Sequence, residues 1–192
     1  MARTALPHDA KAGPTKPAVR SVTLGRLALD GDDHFVEVGS CTGAVTTEAA
    51  RRAGRVTAIE RKPERLEATA KNLAANGIGA GGDAEAADDP EAAVDLVRAE
   101  APEGVPADAD ALFLGGSRNF EAVLDRAVAT GVDRVVMNVA RLEVAGDAVR
   151  AFRERDLYEE VLQVQVSTGY QLAGATSFDS DNPVYVVVGG AG

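Results

Sequence analysis

The stretch from Phe35 to Gly43 constrains the fold of this chain more than any other. Its sequence, Phe-Val-Glu-Val-Gly-Ser-Cys-Thr-Gly, is a buried-strand pattern that breaks into a glycine-rich turn and leads into a helical pattern from Ala44 to Ala53. Such a turn brings backbone N–H groups and a helix N-terminus close to a ligand. A second short strand, Val56 to Glu60, ends in a carboxylate of the kind that binds ribose hydroxyls. Together these elements predict a nucleotide-type cofactor site.

Length and composition set the outer limits of the fold. The 192 residues suit a single domain spanning 1–192, with residues 1–20 as an N-terminal arm. No apolar run approaches membrane-spanning length, and Met1 to Pro17 lacks the apolar core of a signal peptide, so we expect a cytoplasmic protein that does not bind membranes. A single cysteine, Cys41, excludes an intramolecular disulfide, and no cluster of ligands predicts a metal site.

The net charge of −10 argues against nonspecific attraction to phosphate backbones, so nucleic acid is not an expected partner. Of the twenty basic residues sixteen are arginine and only four are lysine, while the acids number thirty. We interpret this halophilic composition as a sign of a high-salt cytoplasm and a GC-rich genome. The acidic surface would then be an adaptation to salt in the solvent and would not indicate the charge of a ligand.

Helical patterns flank the two strands of the cofactor site. Apolar residues at Val22, Leu24 and Leu27 predict a short helix before the first strand. After the second strand, Pro63 suits the first turn of a helix, and Asn76-Gly77 supplies its C-terminal stop. The chain therefore begins with a β-α-β-α pattern.

The following region carries the weakest pattern. A third strand within 78–86 is predicted only because the alternation requires one, and it would place Asp83 at its carboxyl end. Asp89-Pro90-Glu91 is typical of a helix start, with an N-cap, a first-turn proline and an acid favoured by the helix dipole. We therefore predict a helix that continues through Val94 and Val97.

Regular alternation resumes at residue 111. Two apolar strands, 111–114 and 134–139, are each followed by a helical pattern. Residues 161–167 then alternate as a strand of an antiparallel pair does, and after a long polar, glycine-containing segment 184–188 gives a final apolar strand. This order predicts an α/β protein with the class I S-adenosylmethionine-dependent methyltransferase fold, a Rossmann-like seven-stranded sheet with an antiparallel terminal strand.

Several short motifs narrow the class further. They are the arm Gly-Pro-Thr-Lys-Pro-x-Val-Arg at 13–20, the turn Gly115-Gly116-Ser117, and the late segment from Ser177-Phe178 to Asn182-Pro183-Val184. The first turn is close to Glu/Asp-x-Gly-x-Gly-x-Gly, with Cys41 at the middle glycine. In these features, and over nearly its whole length, the chain resembles the decarboxylating cobalt-precorrin-6B (carbon-15) methyltransferase family of cobalamin biosynthesis.

The resemblance implies S-adenosylmethionine as the cofactor. The residues that it implies for cofactor binding are Thr15, Gly39, Ser40, Cys41, Thr42, Gly43, Glu60, Asp83 and Ala84. Of these, the glycine turn would surround the methionine portion, Glu60 would bind the ribose, Thr15 would approach from the arm, and Asp83-Ala84 would flank the adenine. A Cβ at Cys41 narrows the space for backbone approach, and we expect an adjusted cofactor pose rather than loss of binding.

The resemblance also implies the substrate, an anionic tetrapyrrole of the cobalt-precorrin class. A ring carbon would be methylated and an acetate side chain lost as carbon dioxide, in a homo-oligomer such as a tetramer. Because the macrocycle carries many carboxylates, cations are expected at the mouth of the site. Our candidates are Lys16, Arg20, Arg118 and Arg141. No general base is evident, and an in-line displacement depends chiefly on positioning.

Three alternatives remain open. One is a class I methyltransferase acting on RNA, protein or another small metabolite, although amino-group methylators commonly carry an Asn/Asp-Pro-Pro-Tyr loop where this chain has Gly-Gly-Ser-Arg. A second is a nicotinamide-dependent oxidoreductase, which the antiparallel end disfavours. The third is a partner subunit that retains only the fold, an alternative that Cys41 keeps open.

Overall fold

The computed structural model describes residues 4–9, 13–81, 94–116 and 118–190. Its elements in chain order are α1 Pro17–Leu27, β1 His34–Val38, α2 Ala44–Ala49, β2 Arg55–Ile59, α3 Pro63–Ala75, β3 Ala80–Gly81, β4 Val94–Val97, β5 Ala111–Leu114, α4 Phe120–Thr130, β6 Arg134–Val139, α5 Leu142–Glu154, β7 Tyr158–Val164, β8 Ser167–Leu172, β9 Ala175–Ser180 and β10 Val184–Gly189. Within these ranges no helix combines the length and the apolar character needed to cross a bilayer.

One mixed sheet organises the described part of the chain, in the order β3-β4-β2-β1-β5-β6-β10-β7. The strands from β3 to β6 run parallel, while β10 is antiparallel to both β6 and β7. This is the predicted class of fold. The seven strands expected from the sequence are joined by an eighth, β4, which lies between β3 and β2.

Strand β1 lies in the middle of the sheet, and all five of its residues are buried. Side chains alternate along a strand, so successive residues point to opposite faces of the sheet. Phe35 belongs to the same apolar cluster as Leu27 of α1, and Val36 belongs to the cluster on the other face, with Phe152 of α5. Covering both faces explains the continuous apolar runs of the central strands. Strand β1 ends at Val38, and the glycine turn begins directly after it.

The predicted helix through Val94 and Val97 is wrong. These residues begin and end β4, which pairs in parallel with β2 through Val56↔Val94 and Ile59↔Val97. A spacing of three residues suits a helix, but a β-branched residue that is completely buried, as Val94 is, also suits a central strand, and sheet pairing prevails. The predicted third strand is represented only by β3. Residues 78–79 precede the strand, and residues 82–86, with the predicted helix start at Asp89-Pro90-Glu91, lie outside the described residues.

The polar segment before the last strand forms a hairpin that the sequence patterns did not predict. Strands β8 and β9 pair antiparallel, and the turn between them consists of Ala173 and Gly174, at φ +49° and +82°. Two consecutive positive φ values are typical of the tight turns that suit the twist of a hairpin. The hairpin forms a separate two-stranded sheet whose residues are almost all exposed.

Candidate functional site

The turn from Gly39 to Gly43 lies at the carboxyl edge of the sheet, between β1 and α2. The N–H groups of Gly39 and Ser40 both donate to the carbonyl of Ile59, at 2.8 and 3.2 Å, which ties the turn to the end of β2. Gly43 has φ +69°, and a Cβ there would lie 2.7 Å from Cγ2 of Thr69. This position therefore requires glycine for both conformation and space.

Cys41 occupies the middle of the turn in the left-handed conformation, with φ +54°. Glycine adopts this conformation readily, whereas other residues do so at a cost. The carbonyl of Cys41 accepts a hydrogen bond from the hydroxyl of Thr69 at 3.1 Å. Burial raises the pKa of the half-buried thiol, which keeps it neutral near pH 7. The turn thus retains a glycine-type backbone while presenting an uncharged side chain.

Glu37, two residues before the first glycine, is a buried carboxyl group beneath the turn. It is 3% exposed, and the hydroxyl of Thr46 on α2 donates to its Oε2. Burial raises the pKa of Glu37 to about 8, with a further contribution from the nearby Glu60 carboxylate, and the Thr46 hydrogen bond opposes the shift. At neutral pH this carboxyl group is largely protonated.

Glu60 follows directly after β2, as the sequence predicted. Its carboxylate is 5% exposed, and Oε1 accepts the N–H of Lys62 at 3.0 Å. Its own N–H donates to the carbonyl of Val97 at 3.0 Å, so β4 also holds the end of β2 in place. The result is a carboxylate held rigidly at the edge of the sheet, close to the glycine turn.

One cleft of about 880 Å³ joins these groups to distant parts of the chain. The arm contributes residues 13–16, the first turn contributes 37–42, and the ends of β6 and of the hairpin contribute 138–140 and 180–182. This volume lies within the range of small-molecule and cofactor sites. The cleft lies outside the carboxyl ends of the parallel strands, where open α/β sheets bind their ligands.

Of the residues that the structure describes, four cationic ones line this cleft. Lys16 of the arm is ion-paired with Asp181 next to the hairpin, so the arm and the late segment meet at the mouth. Arg118 pairs with Glu100 at 3.1 Å. Within the described ranges, Arg61 and Arg65 make no ion pair with a carboxylate, which leaves two guanidinium groups available to an anionic ligand.

Most of the predicted site residues lie in one place. Those that line the common cleft are Thr15, Lys16, Gly39, Ser40, Cys41, Thr42, Glu60 and Arg118. Gly43 lies in the same turn. Asp83 and Ala84 lie outside the described residues, as does Ser117 of the Gly-Gly-Ser motif.

Two candidate cations lie away from the cleft lining. Arg20 is buried, donates from Nε to Glu48 at 2.8 Å, and binds the carbonyl of Thr15. Arg20 thus holds the arm in place through these contacts and does not line the cleft. Arg141 is exposed at the N-cap of α5, next to the lining residue Ala140.

The residue candidates from sequence omitted Glu37, Arg61 and Arg65. Glu37 had a signal, because it is the acid of the Glu-x-Gly motif. Arg61 and Arg65 had none beyond their position after Glu60, since arginines at the start of a helix are common on surfaces. Both nevertheless line the cleft, Arg61 directly after Glu60 and Arg65 in the first turn of α3.

Comparison with known proteins gives consistent results over the whole chain. Residues 5–189 match the precorrin methyltransferase domain. A protein from Halobacterium salinarum named probable cobalt-precorrin-6B C(15)-methyltransferase (decarboxylating) is 69% identical, with coverage of 100% of this chain and 96% of its own. A protein of the same name from Methanosarcina mazei is 35% identical, with coverage of 92% and 93%.

Solved structures with related names share the fold. A precorrin-8w decarboxylase from Methanobacterium thermoautotrophicum superposes with a TM-score of 0.82 at 27% identity, over 95% of this chain and 96% of its own. A precorrin-6y C5,15-methyltransferase from Geobacter metallireducens gives a TM-score of 0.81 at 29% identity, over 95% and 94%.

Proposed function

The chain belongs to the precorrin methyltransferase family, and we propose that it methylates carbon 15 of cobalt-precorrin-6B with concomitant decarboxylation in cobalamin biosynthesis. The observation that carries the proposal is the convergence, in one cleft, of the arm at Thr15 and Lys16, the glycine turn, and Glu60. These segments are the ones whose motifs resemble the family. The high identity to the Halobacterium salinarum protein supports the same assignment.

S-adenosylmethionine is the cofactor in this proposal, and when bound it supplies an electrophilic methyl group on a sulfonium. The residues present suit such a molecule. Glu60 offers a held carboxylate to ribose hydroxyls, and at Gly39 an added Cβ would meet nothing nearer than 4.0 Å, so the turn leaves room for close approach. Thr15 contacts the cofactor from the arm in this proposal, and Asp83 and Ala84 flank its adenine.

The substrate in this proposal is an anionic tetrapyrrole, and the charges of the cleft suit its carboxylates. Arg61 and Arg65 are available to carboxylates directly, and they join Lys16 and Arg118 as substrate contacts. A carboxylate that binds Lys16 or Arg118 competes with Asp181 or Glu100 for the cation. Arg20 holds the arm in position, and Arg141 is left without a role.

Positioning supplies most of the catalytic effect that we assign to this chain. Val139, Val164 and Val184 give the cleft apolar surface on which the face of a macrocycle can lie. Holding the acceptor carbon in line with the methyl group makes the transfer effectively unimolecular. The ring carbon would exchange a proton for the methyl group, with the electron pair of the broken bond staying on the sulfur that leaves as a thioether. The acetate side chain would lose carbon dioxide and take up one proton, so that a methyl group remains.

We further propose that the chain acts in the cytoplasm as a homo-oligomer, assembled through the β8–β9 hairpin. An isolated two-stranded hairpin is marginally stable in water. This one exposes Tyr170, Leu172 and Phe178, and Phe178 is 67% exposed. Burying these side chains against another copy would stabilise both hairpins.

The test is incubation of the protein with S-adenosylmethionine and cobalt-precorrin-6B carrying an isotope label in the acetate carboxyl group. We expect the mass of one methyl group to appear in the product together with labelled carbon dioxide, and Glu60→Ala to weaken cofactor binding in calorimetry. Glu103→Ala, a change in an acid that does not line the cleft, is the matched control. Methylation without release of label would contradict the decarboxylating step. Cofactor binding with neither product would favour a partner subunit.

A further inference from the structure

Asn72 on α3 is completely buried, and its side-chain amide binds two separate segments of the chain. Nδ2 donates to the carbonyl of Thr42 in the glycine turn at 2.8 Å and to the carbonyl of His8 in the arm at 2.7 Å. Oδ1 accepts the N–H of His8 at 3.0 Å. These partners fix the orientation of the amide, because carbonyl oxygens can face only its NH2 group. One side chain therefore links the arm to the turn.

Thr69, one helical turn earlier on the same face of α3, holds the neighbouring peptide of the turn. Its hydroxyl donates to the carbonyl of Cys41 at 3.1 Å and lies 3.0 Å from Oγ of Ser40. Because the peptide unit is planar, a carbonyl that is fixed in direction also fixes its N–H on the opposite side. Thr69 and Asn72 thus set the orientation of two successive peptide planes, those following Cys41 and Thr42.

The arm has a second anchor that does not involve the turn. Asn76 accepts the N–H of Ala5 at 3.0 Å and donates to the carbonyl of Ala5 at 2.6 Å. Asn72 and Asn76 bind the arm in the same bidentate way, but only Asn72 also reaches a carbonyl of the glycine turn. This difference makes Asn76 a matched control.

We propose that Asn72 is a positioning residue that couples the seating of the N-terminal arm to the geometry of the cofactor turn. The arm contributes Thr15 and Lys16 to the cleft, so a seated arm and an ordered turn belong to the same binding-competent state. Coupling of this kind is reciprocal: cofactor at the turn favours the seated arm, and a seated arm favours cofactor binding. The cofactor half of the inference rests on the proposed function, whereas the coupling is a property of the protein alone.

The coupling is tested without any ligand, by NMR-detected amide hydrogen exchange of Asn72→Ala and Asn76→Ala. We expect faster exchange in the arm for both variants, at His8 and at Ala5 respectively. The Gly43 amide, which donates to the carbonyl of Ser40 at 2.7 Å, should exchange faster only in Asn72→Ala. Unchanged Gly43 exchange in Asn72→Ala, or an equal change in both variants, would overturn the proposal.

A variant on the arm provides the same test if Asn72→Ala does not fold. His8→Pro removes the N–H that Oδ1 of Asn72 accepts and leaves α3 and the turn unchanged in sequence. We expect this change in the arm to raise the amide exchange rate of Gly43, although the turn itself is not mutated. No effect there would show that the arm and the turn are independent.

The consequence for function is measured by titration with S-adenosylmethionine. We expect the dissociation constant to rise about tenfold in Asn72→Ala, the scale of one lost hydrogen bond to a buried group, and to stay within about twofold of wild type in Asn76→Ala. A thermal shift with unchanged affinity in Asn72→Ala would reduce the residue to a structural role. Failure of the wild-type protein to bind the cofactor would instead contradict the proposed function, while the exchange data would still decide the coupling.

Discussion

A single residue, Glu37, connects the stability of the protein to pH. Its pKa is raised from 4.5 to about 8 in the folded chain, mainly by burial. Both states are protonated below the lower value, so the carboxyl group favours neither state there. Between the two values the unfolded chain releases a proton that the folded chain retains, and the free energy of unfolding falls by about 1.4 kcal/mol per pH unit for this group.

The variant Glu37→Gln tests this linkage, because an amide of similar size does not titrate. We expect the urea midpoint of the wild-type protein to fall relative to that of the variant as the pH rises toward 8, with the gap levelling off above the raised pKa. Urea unfolding followed by circular dichroism at a series of pH values measures it. Parallel midpoints across the series would mean that Glu37 is ionised in the folded state.

Cys41→Gly should stabilise the protein. A residue other than glycine at φ +54° is strained, so its replacement by glycine should raise the free energy of unfolding by about 1 kcal/mol. Cys41→Ala keeps the Cβ and removes the thiol, and it should give no such gain. Thermal denaturation measures both variants, and equal stabilities of the glycine and alanine variants would contradict the strain.

Site residues could be predicted where a local motif carries the geometry. Thr15 and Glu60 lie in such motifs, and both line the cleft. Arg20 was expected there too, but Glu48, 28 residues later, pairs with it at 2.7 Å. That pairing depends on how α1 packs against α2, and a single sequence carries no local signal for it.

At the scale of elements, β2 could be predicted from the sequence and β4 could not, because local signals mark only the first. The strand from Arg55 to Ile59 could be predicted because the turn before it and the acid after it mark its ends. The four residues of β4 have no such markers, and their apolar spacing suits a helix equally well. Only the edge offered by β2 decides between them. The β8–β9 hairpin lacked an apolar pattern because it buries almost nothing within its own chain.

Removing apolar side chains from this hairpin should dissociate the homo-oligomer. We expect Tyr170→Ser with Phe178→Ser to lower the mass in solution toward that of one chain, because both side chains are exposed in the protomer and would be buried by assembly. Light scattering coupled to size-exclusion chromatography measures the mass. Val128→Ser, which changes an exposed apolar residue on α4, is the control. An unchanged mass in the hairpin variant, or a wild-type protein that is already monomeric, would contradict assembly through the hairpin.

At the scale of the whole molecule, charge repulsion should make stability depend on salt. The chain has thirty acidic and twenty basic residues, and dilution of salt lengthens the range over which the acids repel one another. We expect the thermal midpoint to fall on dialysis from molar potassium chloride into a dilute buffer. Sucrose, which strengthens burial without screening charge, should restore little of the loss. A midpoint that does not change would remove salt adaptation as the explanation of the composition.

The order of strands in the sheet also has a consequence for synthesis of the chain. Strand β7 leaves the ribosome before β10, yet its partner in the sheet is β10, which lies between β7 and β6. While the nascent chain lacks β10, β7 has no native partner in the sheet. The six parallel strands can assemble during translation, whereas β7 cannot pair until β10 has been made. Among the described strands, β10 is thus the last to be made, and it completes the sheet between two strands that already exist.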